Sequence, residues 1–216
     1  MKKKIDAIVF DFDGVIVDSE PLYEATAEEL FMQYGVEIPP EDWKHFKGLS
    51  EEMFIRAASE KYQINVPIEE MRKKDLEILK SKFKKHLDYI PGVRDFIKKI
   101  DNVYKIGLVT SSSRLLLEWI FGNTPIDNYF KFMVTAEDIE HPKPDPEPFL
   151  KMSEILSVLP EKMLVIEDSI HGINSANSAG AVTIGFTSSF SAEELNVADF
   201  CAASYDDIWE IVRELI

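Results

Sequence analysis

Residues 5–14 read Ile5-Asp6-Ala7-Ile8-Val9-Phe10-Asp11-Phe12-Asp13-Gly14. A short apolar run from Ile5 to Phe10, the signature of a buried strand, ends in two aspartates with a glycine behind them. Side chains along a strand alternate between faces, so positions i and i+2 share a side. If strand geometry persists to Asp13, the carboxylates of Asp11 and Asp13 look into the same space. Like charges that close are tolerated only when a cation lies between them or one holds a proton. Acidic residues also end strands at a solvent edge for no catalytic reason, so the rest of the chain must decide.

Moving outward, three more apolar runs read as buried parallel strands: Ile106–Thr110, Met163–Ile166 and Val182–Phe186. Phe132–Thr135 is a weaker fifth. Amphipathic stretches at Arg114–Phe121, Pro146–Val158 and Ile170–Ala179 lie between them, the last closed by Gly180 as a helix C-cap. Strand alternating with helix implies an α/β fold with a doubly wound parallel sheet. Between Val17 and Tyr89 the alternation stops and helices are expected throughout, at Pro21–Tyr34, Glu51–Tyr62 and Pro67–Leu87. The expected organisation is therefore a core of residues 1–17 and 89–216 with an all-helical insertion at 18–88, and Pro91-Gly92 marks the return to the sheet.

Composition narrows the function. Lys+Arg 24 against Asp+Glu 39 gives a net charge of −15, a surface that repels polyphosphate backbones, so no nucleic acid and no anionic membrane is expected as partner. The single cysteine, Cys201, excludes an internal disulfide and reads as a small buried apolar residue. Lys2-Lys3-Lys4 is followed by too short an apolar stretch for a signal peptide, and no run is long enough to span a bilayer. A soluble, cytoplasmic monomer is the expectation.

In an open parallel sheet, ligands bind beyond the carboxyl ends of the strands. Those ends carry Asp11-Phe12-Asp13-Gly14, Thr110-Ser111-Ser112 and Glu167-Asp168-Ser169, with His141-Pro142-Lys143-Pro144-Asp145-Pro146 in the crossover before the fourth strand. Clustered carboxylate oxygens suit Mg²⁺, whereas zinc would ask for more His or Cys. A lysine and hydroxyls are suitable donors to a phosphoryl group, and an aspartate can serve as the nucleophile. Each piece has a plainer reading: Lys143 as a solvated lysine in a proline-rich loop, Thr110–Ser113 as a helix N-cap, Glu167-Asp168 as helix-opening acids, His171 as an exposed or capping residue. Their coincidence at successive strand ends favours a catalytic site.

Taken in order, these pieces resemble the four motifs of the haloacid dehalogenase-like superfamily of phosphotransferases. Asp11-Phe12-Asp13-Gly14-Val15 is similar to the first, Thr110 to the second, Lys143 in KPDPEPF to the third, and Glu167-Asp168-Ser169 with Gly172 to the fourth. The resemblance implies a Rossmann-like core and a helical cap in the insertion. It implies Asp11 as nucleophile and Asp13 as acid and base. It assigns Mg²⁺ to Asp11, the Asp13 carbonyl and Asp168, with Glu167 close by, and the phosphoryl oxygens to Thr110 and Lys143, beside Ser111.

Asp13 argues for phosphoryl transfer, since the family's dehalogenases lack the second aspartate. DGVIVDSEPLY and HFKGLSEE resemble the β-phosphoglucomutase and sugar-phosphatase subgroup. Where the mutases carry a cap histidine and a cap arginine, this chain has Tyr23 and Glu51, and an acid at Glu51 would repel a second phosphate or pair with Lys47. The expectation is a Mg²⁺-dependent phosphatase acting on a small phosphate monoester such as a sugar phosphate, with Glu20, Tyr23, Lys47 and Glu51 as the cap's specificity residues. The alternatives are a phosphosugar mutase and a non-catalytic, receiver-like phosphate binder.

Overall fold

The structure is a computed structural model that describes residues 5–46, 51–122 and 129–215, with the side chains of residues 44 and 45 left out. The chain divides into two compact units, Met1–Asp18 with Asp88–Ile216, and Ser19–Leu87.

The first unit is built on a six-stranded sheet of order β3-β2-β1-β4-β5-β6, with every neighbouring pair parallel. The strands are β1 Ala7–Phe10, β2 Lys105–Val109, β3 Met133–Val134, β4 Met163–Glu167, β5 Val182–Phe186 and β6 Phe200–Ala202. β1, β4 and β5 are buried along their whole length, because helices cover both faces and each side chain finds an apolar partner whichever way it points. Ala7 and Val9 pack on one face with Phe149, Met152 and Leu156 of α7 (Glu147–Leu156) and Ala176 of α8 (Ile170–Ala179). On the other face the Phe10 ring meets Phe96 of α5 (Val93–Ile100), and Phe96 meets Tyr205 of α9 (Tyr205–Leu215). The doubly wound α/β core expected from the sequence is thus the observed one.

The remaining helix of this unit is α6, Arg114–Phe121. Among the described strands and α-helices of this unit, β6, α5 and α9 have no counterpart in the sequence reading. Cys201, expected to be buried, is exposed. It lies on the edge strand β6, whose partner is β5 alone, so a side chain there need not face the core.

The second unit contains α1 (Glu20–Met32), α2 (Pro40–Phe46), α3 (Glu51–Lys61) and α4 (Ile68–Lys85), of which α2 was not anticipated. Leu30, Phe31, Ile38, Phe46, Ile55, Ala58, Met71 and Ile78 form its own buried cluster. Phe54 completes it by stacking on Trp43 and meeting the Phe31 and Phe46 rings edge-on. In the first unit, the two chain segments that lead to and from this insertion lie side by side. Asp18 N donates to Asp88 O at 3.0 Å and Ile90 N to Ile16 O at 3.0 Å, flanking an antiparallel bridge between Val17 and Tyr89. Among the described residues, no helix is long and apolar enough to cross a membrane.

Candidate active site

β1 stops at Phe10, one residue before Asp11, so strand alternation is not what brings the two aspartates together. Asp11 stays in the sheet's frame through its N–H, which donates to Ile166 O of β4 at 2.9 Å. The chain then turns sharply: Ile16 N and Val17 N both return to Phe12 O, and Gly14 N donates to Val17 O. Gly14 has φ +71°, a conformation that costs any residue with a Cβ, and an added Cβ would lie 2.0 Å from Asp168 Oδ2. The glycine of the first motif therefore lets the turn press against the acid of the fourth.

Lys143 is the hub. Its ammonium donates to Asp11 Oδ1 at 2.6 Å, to Glu167 Oε1 at 2.7 Å and to Val109 O at 3.2 Å, with only 7% of the side chain exposed. It joins the ends of β1, β2 and β4 and is no solvated loop lysine. Glu167, the last residue of β4, is buried, and its other oxygen accepts from Ser169 N and Ser169 Oγ, each at 2.8 Å. Gly172 in the first turn of α8 comes so close that a Cβ would fall 1.6 Å from Glu167 Oε1. Asp168 Oδ2 accepts from Ser189 Oγ and, at 3.5 Å, from Ser188 Oγ. Neither serine was singled out from the sequence. Both lie twenty or more residues beyond Asp168, in the loop after β5, with no local motif to mark them.

The hydroxyls after β2 make different contacts. Thr110 is buried, and its Oγ1 accepts from Ser112 N at 3.0 Å, shaping the turn after β2. Ser112 Oγ donates to Asp13 Oδ2 at 2.7 Å, whereas Ser111, the residue picked from the sequence, is exposed. Ser113 is the N-cap of α6, accepting from Leu116 N, and Ser169 caps α8 in the same way. His171 is exposed, as expected.

Charge in this cluster is unbalanced. Burial pushes the Asp11 carboxyl well above the usual carboxylate range; Lys143 opposes this, and Glu167, Asp168 and Asp13 add to it. Burial and the Glu167 charge likewise lift Asp168 to about 7, with the Ser189 bond pulling the other way. Burial works against the Lys143 ammonium too, but Asp11 and Glu167 outweigh it and hold its pKa above the ordinary lysine range. Lys143 therefore keeps its proton, and its single charge is shared among too many acids to satisfy them all. Oxygen donors with surplus negative charge suit a hard divalent cation, so Asp11, Asp13, Glu167 and Asp168 have the donor chemistry for one. Among the described residues, no three acid, imidazole or thiol groups already stand in a metal-holding arrangement; the fit is one of chemistry and charge.

The candidate cap residues belong to the helical unit. Glu20 begins α1. The Tyr23 ring packs edge-on against Phe83 of α4. Lys47 lies outside the described residues, and with it the expected pairing with Glu51. Glu51 pairs with Arg72 of α4, Nε to Oε1 at 3.2 Å, and Glu52 joins it at 3.1 Å. The two residues are 21 apart on different helices, so spacing gave no hint of the partnership.

A family model for haloacid dehalogenase-like hydrolases matches residues 8–186, most of the chain. The chain belongs to that family. Among the relatives of this hydrolase is the phosphorylated carbohydrates phosphatase of Thermotoga maritima, 33% identical over 178 residues that make up 82% of each chain. The pyrophosphatase PpaX of Bacillus mycoides is 28% identical over 84% of this chain and 83% of its own. The crystal structure of β-phosphoglucomutase from Clostridium difficile superposes with a TM-score of 0.81 at 26% identity, covering 98% of this chain and 96% of that one. The match extends from β1 to the end of β5, and the hydrolase is an enzyme of known architecture.

Proposed function

We propose that this hydrolase is a phosphatase that removes the phosphoryl group of a small phosphate monoester, a phosphorylated carbohydrate by preference. The observation that carries the reading is Lys143 bridging Asp11 Oδ1 and Glu167 Oε1 at 2.6 and 2.7 Å while Ser112 holds Asp13 at 2.7 Å. The cation thus holds the nucleophile, and a serine from the turn after β2 holds the acid/base two residues further on.

Lys143 engages Oδ1 of Asp11 and leaves Oδ2 to attack phosphorus, forming an aspartyl phosphate as the bond to the ester oxygen breaks. Asp13, oriented by Ser112, gives its proton to the departing alkoxide. It then takes a proton from water, whose oxygen attacks the aspartyl phosphate, releasing inorganic phosphate and restoring the Asp11 carboxylate. The donors around phosphorus would be the Lys143 ammonium and the hydroxyls beyond β2. Asp11, Asp13, Asp168 and Glu167 would hold Mg²⁺, which when bound supplies positive charge against the phosphoryl oxygens. The helical unit Ser19–Leu87 is proposed as the cap that selects the rest of the substrate.

The relative named for phosphorylated carbohydrates supports hydrolysis of such esters, while the structural likeness to β-phosphoglucomutase keeps the mutase as a second reading. Phosphorus NMR separates them. With Mg²⁺, a panel of sugar phosphates and a trace of glucose bisphosphate, net release of inorganic phosphate is expected, abolished in Asp11→Asn and slowed roughly 10²–10⁴-fold in Asp13→Asn. Rapid isomerisation of glucose 1-phosphate with negligible phosphate release would establish the mutase instead.

A further inference from the structure

We infer that Glu147 is the positioning residue for Lys143: its carboxylate fixes the backbone just before the lysine and so determines where the ammonium lies. The inference rests on the proposed role of Lys143 at the phosphoryl group. The segment that delivers Lys143 is poor in means of holding itself. Pro142, Pro144 and Pro146 have no N–H to give, which leaves Glu140, His141, Lys143 and Asp145 as backbone donors between residues 140 and 146. The Asp145 N–H closes a turn onto Pro142 O at 3.0 Å. Those of Glu140 and His141 both go to one side chain: Glu140 N donates to Glu147 Oε1 at 2.8 Å and His141 N to Glu147 Oε2 at 2.8 Å. The His141 ring adds Nδ1 at 2.8 Å from the same Oε2.

Glu147 is well founded for this purpose. It opens α7, and its own N–H donates to Asp145 Oδ1 at 2.9 Å. Two turns of α7 beyond it are anchored in the sheet core by Phe149, Met152 and Leu156. A carboxylate standing on a rigid helix thus reaches back six and seven residues and holds the lysine's approach at Glu140-His141, while the Glu147 N–H, not the carboxylate, holds the Asp145 side chain on the other side. At the far end the Lys143 ammonium is wedged between two buried acids with 7% of the side chain exposed, a placement that tolerates little drift of the backbone. An acid in a helix's first turn is ordinarily read as a favourable partner of the helix dipole; here both its oxygens are committed to the loop.

The test is a double-mutant cycle in the full chain, read by calorimetric binding of inorganic phosphate in the presence of Mg²⁺ and by turnover. Glu147→Ala should weaken phosphate binding about tenfold or more and lower turnover by up to on the order of 10²-fold, the scale of a small misplacement of a catalytic group. Placed on Lys143→Ala, the same change should cost nothing further, because a residue that acts through the lysine has nothing left to act on. Glu147→Gln, which keeps an amide oxygen for one N–H, should recover part of the loss, and it carries the cycle if the alanine variant does not fold. Losses that multiply independently, or wild-type phosphate binding in Glu147→Ala, would overturn the inference. If Lys143→Ala itself binds phosphate normally, the phosphate role of the lysine fails first and the inference falls with it.

Discussion

The buried stripe of α4 contains Met71, Asp75, Ile78, Leu79 and Phe83, one carboxylate among apolar side chains. Asp75 is 7% exposed. Burial and the nearby Glu51 charge raise its pKa from 3.8 to about 7, against the opposing pull of Arg72. A carboxyl raised in the fold binds its proton more tightly than in the unfolded chain, so its ionisation costs stability as pH climbs from about 4 to about 7. At about 1.4 kcal/mol per pH unit, the full cost above pH 7 is roughly 4 kcal/mol, and at pH near 5.5, where only the unfolded chain has released the proton, it is roughly 2 kcal/mol. Asp75→Asn keeps the shape and removes the ionisation. The variant should exceed wild type by roughly 4 kcal/mol at pH about 8 and by roughly 2 kcal/mol at pH about 5.5. Every other titrating group is common to both proteins and cancels in the comparison. Urea unfolding read by Trp43, with Trp119 and Trp209 replaced by Phe, follows the helical unit that contains Asp75. An asparagine variant less stable than wild type at pH 8, or an advantage equal at both pH values, would refute the burial argument.

Two further outcomes bear on the site. Gly14→Ala should lose about 1–2 kcal/mol from the left-handed backbone alone and most of its activity from the displacement of Asp168, whose Oδ2 is 2.0 Å from the new Cβ; thermal melts and steady-state kinetics check the two parts separately. Chelation should abolish phosphate release, with recovery on adding Mg²⁺ and weaker or no recovery with Ca²⁺, which prefers looser and higher coordination; full activity after exhaustive chelation would give the acidic cluster another purpose.

What could be read in advance follows from how each element meets solvent. β1, β4 and β5 are buried on both faces and show as largely apolar runs, which is why their positions, and the chemistry at their ends, were legible. β6 spans three residues at the sheet's edge with Cys201 exposed, too short and too mixed for a period to emerge. α5 is a different case. Val93, Phe96, Ile97 and Ile100 are buried at i, i+3, i+4 and i+7, a helical stripe that was present to be read behind Pro91-Gly92. At the site, Asp11, Lys143 and Glu167 could be placed because each stands at the end of a strand or in the crossover before one. The bond from Ser112 to Asp13 was not legible, because neighbouring hydroxyls are told apart by the turn that Thr110 shapes, and periodicity says nothing about a turn. Ser189 and the pairing of Glu51 with Arg72 are contacts between distant segments and leave no local trace.

The energetics of Lys143 give a reason to regard this cluster as kept for chemistry. An ion pair as buried as Lys143 with Asp11 and Glu167 pays a desolvation cost that its attraction often fails to repay, and well-packed apolar residues of similar volume are commonly as stable or more so. The apolar alternative was close at hand: Phe149 lies beneath the ammonium, its ring centroid 5.4 Å from Nζ, and the interiors of β1, β2 and β4 are apolar. The fold instead spends a glycine in the left-handed region at Gly14 and a second close approach at Gly172 to bring more acid to the same place. Two carboxylates on the ammonium, with Asp13 and Asp168 close enough to raise the pKa of Asp11, put more negative charge here than one lysine balances. Local rules broken in concert, at the carboxyl ends of adjacent strands, are what a functional site produces and a purely structural cluster seldom does, which supports the proposed site.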